Sequence, residues 1–301
     1  MSQTTKSPRE LLKVAYELGE SSLPERWHRF SPKTFSPAQL FACLVLKAFF
    51  QLDYRGTEQL LADCPELGKE IGLRKVPDYT TLCKAEKRLL DEDTTQRLLR
   101  ETIKKALTRN KMKRLIELAA IDGSGFEPRH VSEHYKRRLN WTGEKILQKI
   151  FIKLELVVDT ASHMIVALQT KKGPIPDMVN CLPLLQQAAS NVNIHTLVGD
   201  KGYDSETFHS LARDTFGIET FIPARKFKSR TLLPKTKYRL LMTTNFNADK
   251  YKSRAQVETV FSMIKRRLRS ALTARSFHSQ NREVALRAIT LNIMILFPFA
   301  L

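Results

Sequence analysis

Three carboxylates stand where a folded chain could gather them. Asp122 follows the apolar run from Leu115 to Ile121, Asp200 follows Thr196-Leu197-Val198-Gly199, and Glu258 falls inside a helical pattern that starts near Ser253. Both apolar runs read as strands, so Asp122 and Asp200 are expected at strand ends, where α/β sheets present functional groups. A buried carboxylate pair without a cation would repel, and a divalent metal is the natural compensation. Two Mg²⁺ ions about 4 Å apart, held by three carboxylates, can activate a hydroxyl and stabilise the leaving group at a phosphodiester. Taken singly, either aspartate could equally be a turn residue or a helix cap.

Glu258 has more context. Ser253-Arg254-Ala255-Gln256 spells a capping box. In the helix that follows, Arg254, Glu258 and Lys265 fall within about 40° of one another. Val257, Val260, Phe261, Ile264 and Leu268 fill an adjoining apolar sector. The helix can therefore pack on a sheet while its edge shows an Arg-Glu-Lys row. An i,i+4 salt bridge between Arg254 and Glu258 is the simplest alternative use of that row.

The elements that must position these groups divide at about residue 110. Before it the pattern is helical: Ser7-Pro8-Arg9-Glu10 and Ser36-Pro37-Ala38-Gln39 are capping boxes with Pro at the first helical position. Leu40, Phe41, Leu44, Val45, Ala48, Phe49 and Leu52 form an apolar stripe at helical spacing. Asp78 is placed to cap a helix from Tyr79 to about Leu90, and a helix-turn-helix in this region would be one way to read DNA. After residue 110 come a strand ending at Asp122 and a hairpin of Phe151–Val158 with Met164–Leu168. Helices are expected over Met178–Ala189 and Ser205–Phe216, and strands at Thr196–Val198 and Ile218–Ile222. A basic, turn-rich connection spans Arg225–Lys250, followed by helices at Ser253–Ala271 and Asn281–Phe297. That order predicts an α/β sheet with helices packed on it. The domains expected are 1–110, helical and a candidate DNA-binding region, and 111–301, catalytic.

Charge follows the same geography. The chain has 301 residues, 50 Lys+Arg against 31 Asp+Glu, and a net charge of +19. Residues 222–301 alone carry 17 of the basic residues and 3 of the acidic ones. One cluster comprises Arg225, Lys226, Lys228, Arg230, Lys235, Lys237 and Arg239; the other comprises Lys265, Arg266, Arg267 and Arg269. So local an excess points to phosphates as partner rather than to a merely solvated face. The four cysteines form no C-x-x-C pair, which argues against a zinc ribbon or a disulfide-stapled secreted fold. No apolar signal core opens the chain, and Ala285–Leu301 is interrupted by Arg287, Asn292 and Pro298, so no membrane association and a cytoplasmic location are expected.

The motifs carry a family resemblance. Tyr251, Arg254, Glu258 and Lys265 match Y-x2-R-x3-E-x6-K, which is similar to the signature of bacterial insertion-sequence DDE transposases of the YREK type. Leu197 to Asp204 resembles that family's second-aspartate motif, and Ile121-Asp122-Gly123-Ser124-Gly125 its first. Tyr54-Arg55-Gly56-Thr57-Glu58 and Val76 to Leu82 resemble its helical leader, so the likeness spans roughly residues 36–295. It implies a ribonuclease-H-like mixed sheet flanked by helices, with an all-helical N-terminal domain. It further implies Asp122, Asp200 and Glu258 as the catalytic and metal-holding triad, with two Mg²⁺ or Mn²⁺ ions. Tyr251, Arg254 and Lys265 would hold the DNA end, with Lys201, Lys226, Lys228, Arg266, Arg267 and Arg269 as further phosphate contacts. The implied partners are double-stranded DNA, both the element's terminal inverted repeats and its target, and a second copy of the chain on that DNA. The implied setting is the bacterial nucleoid. Fifty-eight residues separate Asp200 from Glu258, which leaves no room for the large β-rich insertion some relatives carry. The alternative is a sequence-specific DNA-binding protein of the same descent without catalysis.

Two other features of the sequence resemble functional motifs. His130-Val131-Ser132-Glu133-His134 spells H-x-x-E-H, a zinc-protease string, but five residues recur cheaply, and a basic DNA-facing loop fits its setting better. Trp141 follows the basic run Lys136-Arg137-Arg138 and could stack on a base; Trp27 reads as an ordinary aromatic.

Overall fold

Ser7 and Ser36 start the first two helices as their sequences require: each hydroxyl accepts the backbone N–H three residues on, and Gln39 completes a full capping box at Ser36. The computed structural model describes residues 4–26, 34–129, 151–179, 181–225 and 233–297. Lys226, Lys228, Arg230, the His130–His134 string, Trp27 and Trp141 lie outside the described residues. The chain forms two compact units, Met1–Lys111 with Met263–Leu301, and Met112–Ser262.

The first unit is helical among its described residues. It contains α1 (Pro8–Ser22), α2 (Pro37–Phe49), α3 (Tyr54–Asp63), α4 (Pro65–Lys69), α5 (Tyr79–Leu89) and α6 (Glu92–Thr108), and, from the far end of the chain, α12 (Phe277–Ile295). Gly19 lets α1 and α2 close on each other, since a Cβ there would stand 2.7 Å from the Ala38 Cα. Almost all of α12 from Glu283 onward is buried, polar residues included. Its polar groups are accordingly partnered: Asn292 Nδ2 donates to Thr102 Oγ1 at 3.0 Å, and Arg287 donates to the carbonyls of Arg269 and Ala271 as well as to Glu283. As far as Ile295, the apolar stretch that begins at Ala285 is thus part of a core helix. No helix among the described residues is long and apolar enough to cross a membrane. The helices α3 and α5 touch, but residues 64–78, including α4, lie between them.

The second unit is built on β1 (Leu115–Phe126), β2 (Phe151–Asp159), β3 (Ile165–Gly173), β4 (Asn193–Gly199) and β5 (Glu219–Phe221). The sheet order is β3-β2-β1-β4-β5. The first three strands are antiparallel neighbours, and β4 and β5 join parallel to β1. Helix α7 (Cys181–Asn191) packs on β2, β3 and β4. A short helix α8 (Glu206–Ser210) runs into a π turn at Leu211–Thr215 where one continuous α-helix was expected. The basic connection is not all turn: it holds α9 (Lys237–Thr244) and α10 (Ala248–Lys252). The helix α11 (Ala255–Arg267) follows. A mixed five-stranded sheet with helices packed on it and a helical amino-terminal region is the ribonuclease-H-like arrangement expected from the sequence.

Candidate active site

The position of Asp122 is set by where two ladders part. Strand β1 stays paired with β2 to its end, Asp122 opposite Leu156 and Phe126 opposite Ile152. Its parallel pairing with β4 stops at Ile121 opposite Gly199. Asp122 therefore does not end its strand, as the following glycine suggested. It stands inside a longer one, at the point where β4 peels away. The residue that follows β4 is Asp200, so both aspartates stand one residue beyond the last pair of the parallel ladder. Gly199 is what permits this approach: a Cβ there would lie 2.7 Å from Ile121 Cγ2. Beyond it the chain tightens into a 3₁₀ turn, Lys201–Tyr203, capped by the Asp200 carboxylate accepting the Lys201 N–H at 2.7 Å. Asp122 similarly accepts the Gly123 N–H at 2.8 Å.

Arg254 joins the third carboxylate to the first. Its Nη1 donates to Asp122 Oδ2 at 2.8 Å and its Nη2 to Glu258 Oε1 at 2.6 Å. Burial would lower the guanidinium pKa, but the charges of Asp122 and Glu258 outweigh it and the net shift is upward. The expected i,i+4 pair is present, and the same side chain spans 132 residues of sequence to reach β1. Ser253 has helical dihedrals (φ −66°, ψ −10°), not those of an extended cap. The third capping box therefore does not form. Gln256 Oε1 instead accepts from His163 Nε2 in the β2–β3 turn at 2.7 Å, which ties the start of α11 to the sheet. His163 is buried and takes φ +62°, an unusual conformation for a non-glycine residue.

The remaining candidates are distributed. Tyr251 packs its ring on Phe246 at 5.3 Å, and Phe246 meets Phe221 of β5 at 6.4 Å. Lys201 is exposed beside Asp200. Lys265, Arg266 and Arg267 form the last turn of α11, and Arg269 follows it with φ +77°. These four belong to the other compact unit. The turn after Asp200 is held by residues that sequence reasoning passed over. Asp204 is buried, and its carboxylate accepts three contacts of 2.9–3.1 Å from Arg239 and one of 2.8 Å from the Arg225 N–H. The signal available was an acid inside the second aspartate motif with arginines 21 and 35 residues on.

The donor set is hard carboxylate oxygen, which suits Mg²⁺ or Mn²⁺ rather than zinc or copper. No group of three or more His, Cys, Asp or Glu side chains among the described residues is gathered closely enough to form a metal cage. The Arg254 guanidinium supplies the compensating positive charge between Asp122 and Glu258. The carboxylates thus suit a divalent cation by donor type, and the Arg254 guanidinium lies between two of them.

Residues 113–293 match the family described as Transposase DDE domain. Among solved structures, the chain is similar to a piggyBac transposase synaptic complex with hairpin DNA, at a TM-score of 0.48 and 11% identity, covering 98% of this chain and 77% of that one. No curated protein matches it.

Proposed function

Because this chain belongs to the Transposase DDE domain family, we propose that it cuts and rejoins DNA at the ends of an insertion sequence of the YREK type, with Asp122, Asp200 and Glu258 as its catalytic carboxylates. The observation that supports the reading is the Arg254 guanidinium on both Asp122 and Glu258, with Asp122 and Asp200 each following the last pair of the β1–β4 ladder. Divalent cations held by the three carboxylates would supply the charge that activates an attacking hydroxyl and stabilises the departing oxygen. The chain's own residues do the positioning. Arg254 leaves the carboxylates for the phosphate of a bound DNA end, where its planar fork matches two oxygens. Lys201 stands beside Asp200 as a second positive charge on the same backbone. Tyr251, braced by Phe246, offers a ring and a hydroxyl to the DNA end. Lys265, Arg266, Arg267 and Arg269 extend phosphate contact, together with Lys226 and Lys228. Water attack at the element end breaks the bond to the flanking DNA and frees a 3′-hydroxyl; that hydroxyl then attacks a target phosphodiester in line and expels the target's 3′ oxygen, with no covalent protein intermediate, and two copies of the chain hold two ends.

The test is cleavage of element-end DNA with Mg²⁺ or Mn²⁺ by the purified full chain, compared with Asp122→Ala, Asp200→Ala and Glu258→Ala. The reading expects metal-dependent cleavage lost in all three while end binding persists. Cutting by all three variants would refute the site. End binding without cleavage by the wild type would favour the DNA-binding alternative.

A further inference from the structure

Asp200 is the one proposed carboxylate that the Arg254 contacts leave untouched, yet its turn is among the most heavily tied segments of its unit. Tyr203 N–H donates to the Asp200 carbonyl at 2.9 Å and Asp204 N–H to the Lys201 carbonyl at 3.2 Å, which closes the 3₁₀ turn. Arg225 bonds two of its carbonyls: Nε donates to Lys201 O at 2.9 Å and Nη2 to Gly202 O at 2.6 Å. The Arg225 backbone N–H donates to Asp204 Oδ2. Asp204 in turn receives the Arg239 guanidinium through Nε and Nη2 and has the His209 Nε2 3.8 Å away. His209 is itself placed by Thr220 of β5, at 2.7 Å from Nδ1. Glu206 completes the frame by accepting the Tyr238 and Arg239 N–H groups at the start of α9.

An arginine that aimed its guanidinium at DNA would not also satisfy two carbonyls of one turn. The side chain of Arg225 is committed to the backbone between Asp200 and Asp204. Asp204 has the geometry of a fully employed acceptor, buried and bonded on both oxygens. We infer that Arg225 and Asp204 are positioning residues that fix the Asp200 carboxylate at the end of β4, with Arg239 holding Asp204 in its orientation. Outer contacts of this kind usually change metal affinity or activity by about 10- to 100-fold when removed. This rests on the proposal that Asp200 helps to hold a divalent cation.

The experiment uses the full chain with element-end DNA and Mn²⁺ as probe. Free Mn²⁺ is counted by electron paramagnetic resonance, and kcat and KM for the DNA are measured in parallel. Arg225→Ala removes the two carbonyl contacts and keeps the backbone N–H to Asp204. Asp204→Asn keeps the shape and removes the charge, and Asp200→Ala is the reference. The inference expects Arg225→Ala and Asp204→Asn to weaken Mn²⁺ binding and lower kcat by about tenfold, with KM for DNA within twofold of wild type. Arg225→Lys should recover part of the loss. If Arg225→Ala raises KM for DNA and leaves Mn²⁺ binding and kcat unchanged, Arg225 is a DNA contact and the inference is overturned. If Asp200→Ala loses Mn²⁺ while both variants bind it as the wild type does, the inference fails and the proposed triad stands. If Asp200→Ala itself binds Mn²⁺ normally, the triad reading fails and takes the inference with it.

Discussion

Arg254 makes a prediction whose size follows from its two contacts. It bonds Asp122 at 2.8 Å with side chains 24% and 20% exposed, and Glu258 at 2.6 Å with that partner 56% exposed. Exposed ion pairs contribute ~0–1 kcal/mol, whereas breaking a buried one costs ~3–5 kcal/mol. The Asp122 contact falls between these limits and the Glu258 contact near the lower one, so together they are worth ~2 kcal/mol. Arg254→Ala should therefore lower the melting temperature of the unliganded protein by roughly 4–8 °C. The same 2 kcal/mol opposes any divalent cation that must displace the guanidinium. Without DNA, Arg254→Ala should then bind Mn²⁺ roughly 30-fold more tightly than wild type, at ~1.4 kcal/mol per factor of ten. Saturating Mn²⁺ should restore more melting temperature to the variant than to the wild type. Isothermal titration and thermal unfolding, both on DNA-free protein, read the two effects. Equal or weaker Mn²⁺ binding by Arg254→Ala, or an unchanged melting temperature, would refute the idea that this arginine stands in for the metal.

Three further outcomes are expected. Gly199→Ala puts a Cβ 2.7 Å from Ile121 Cγ2; unfolding should show a loss of ~1–3 kcal/mol, and cleavage should fall while end binding remains. Burial would raise the Asp204 pKa, but the neighbouring His209 ring and the hydrogen bonds from Arg239 and the Arg225 N–H hold it at about 2, below its ordinary 3.8. Its contribution to stability is then complete above about pH 4 and lost as pH falls toward 2, so Asp204→Asn should flatten the acid limb of stability measured by circular dichroism. DNA binding should weaken steeply with salt, and Arg267→Ala should reduce the slope of log K against log salt by about 1 in a filter-binding titration.

Much of the site was legible because local rules and global packing agree there. Val257, Val260, Phe261, Ile264 and Leu268 all went inside, as their spacing required, and the apolar runs before Asp122 and Asp200 became neighbouring parallel strands. What escaped depended on partners distant in sequence. Asp122-Gly123 looks like a strand end, yet β2 continues the ladder four residues further, and only the pairing could reveal that. Ser253 looks like a cap, yet α10 leads into α11 through helical dihedrals, and Gln256 is spent on His163 rather than on its own helix start. The Asp204 clasp was hidden for the same reason: two arginines read as free charge are satisfied by one turn.

The central claim is that Asp122, Asp200 and Glu258 hold the reacting metal together. It is tested most directly by loading the DNA-bound protein with Fe²⁺ in place of Mg²⁺, adding ascorbate and peroxide, and mapping where the polypeptide is cut by the radicals released at the metal. The account predicts cuts at three separate places, near residues 122, 200 and 258, suppressed by excess Mg²⁺ and absent in Asp122→Ala. Cuts elsewhere, or at one of these places alone, would contradict it.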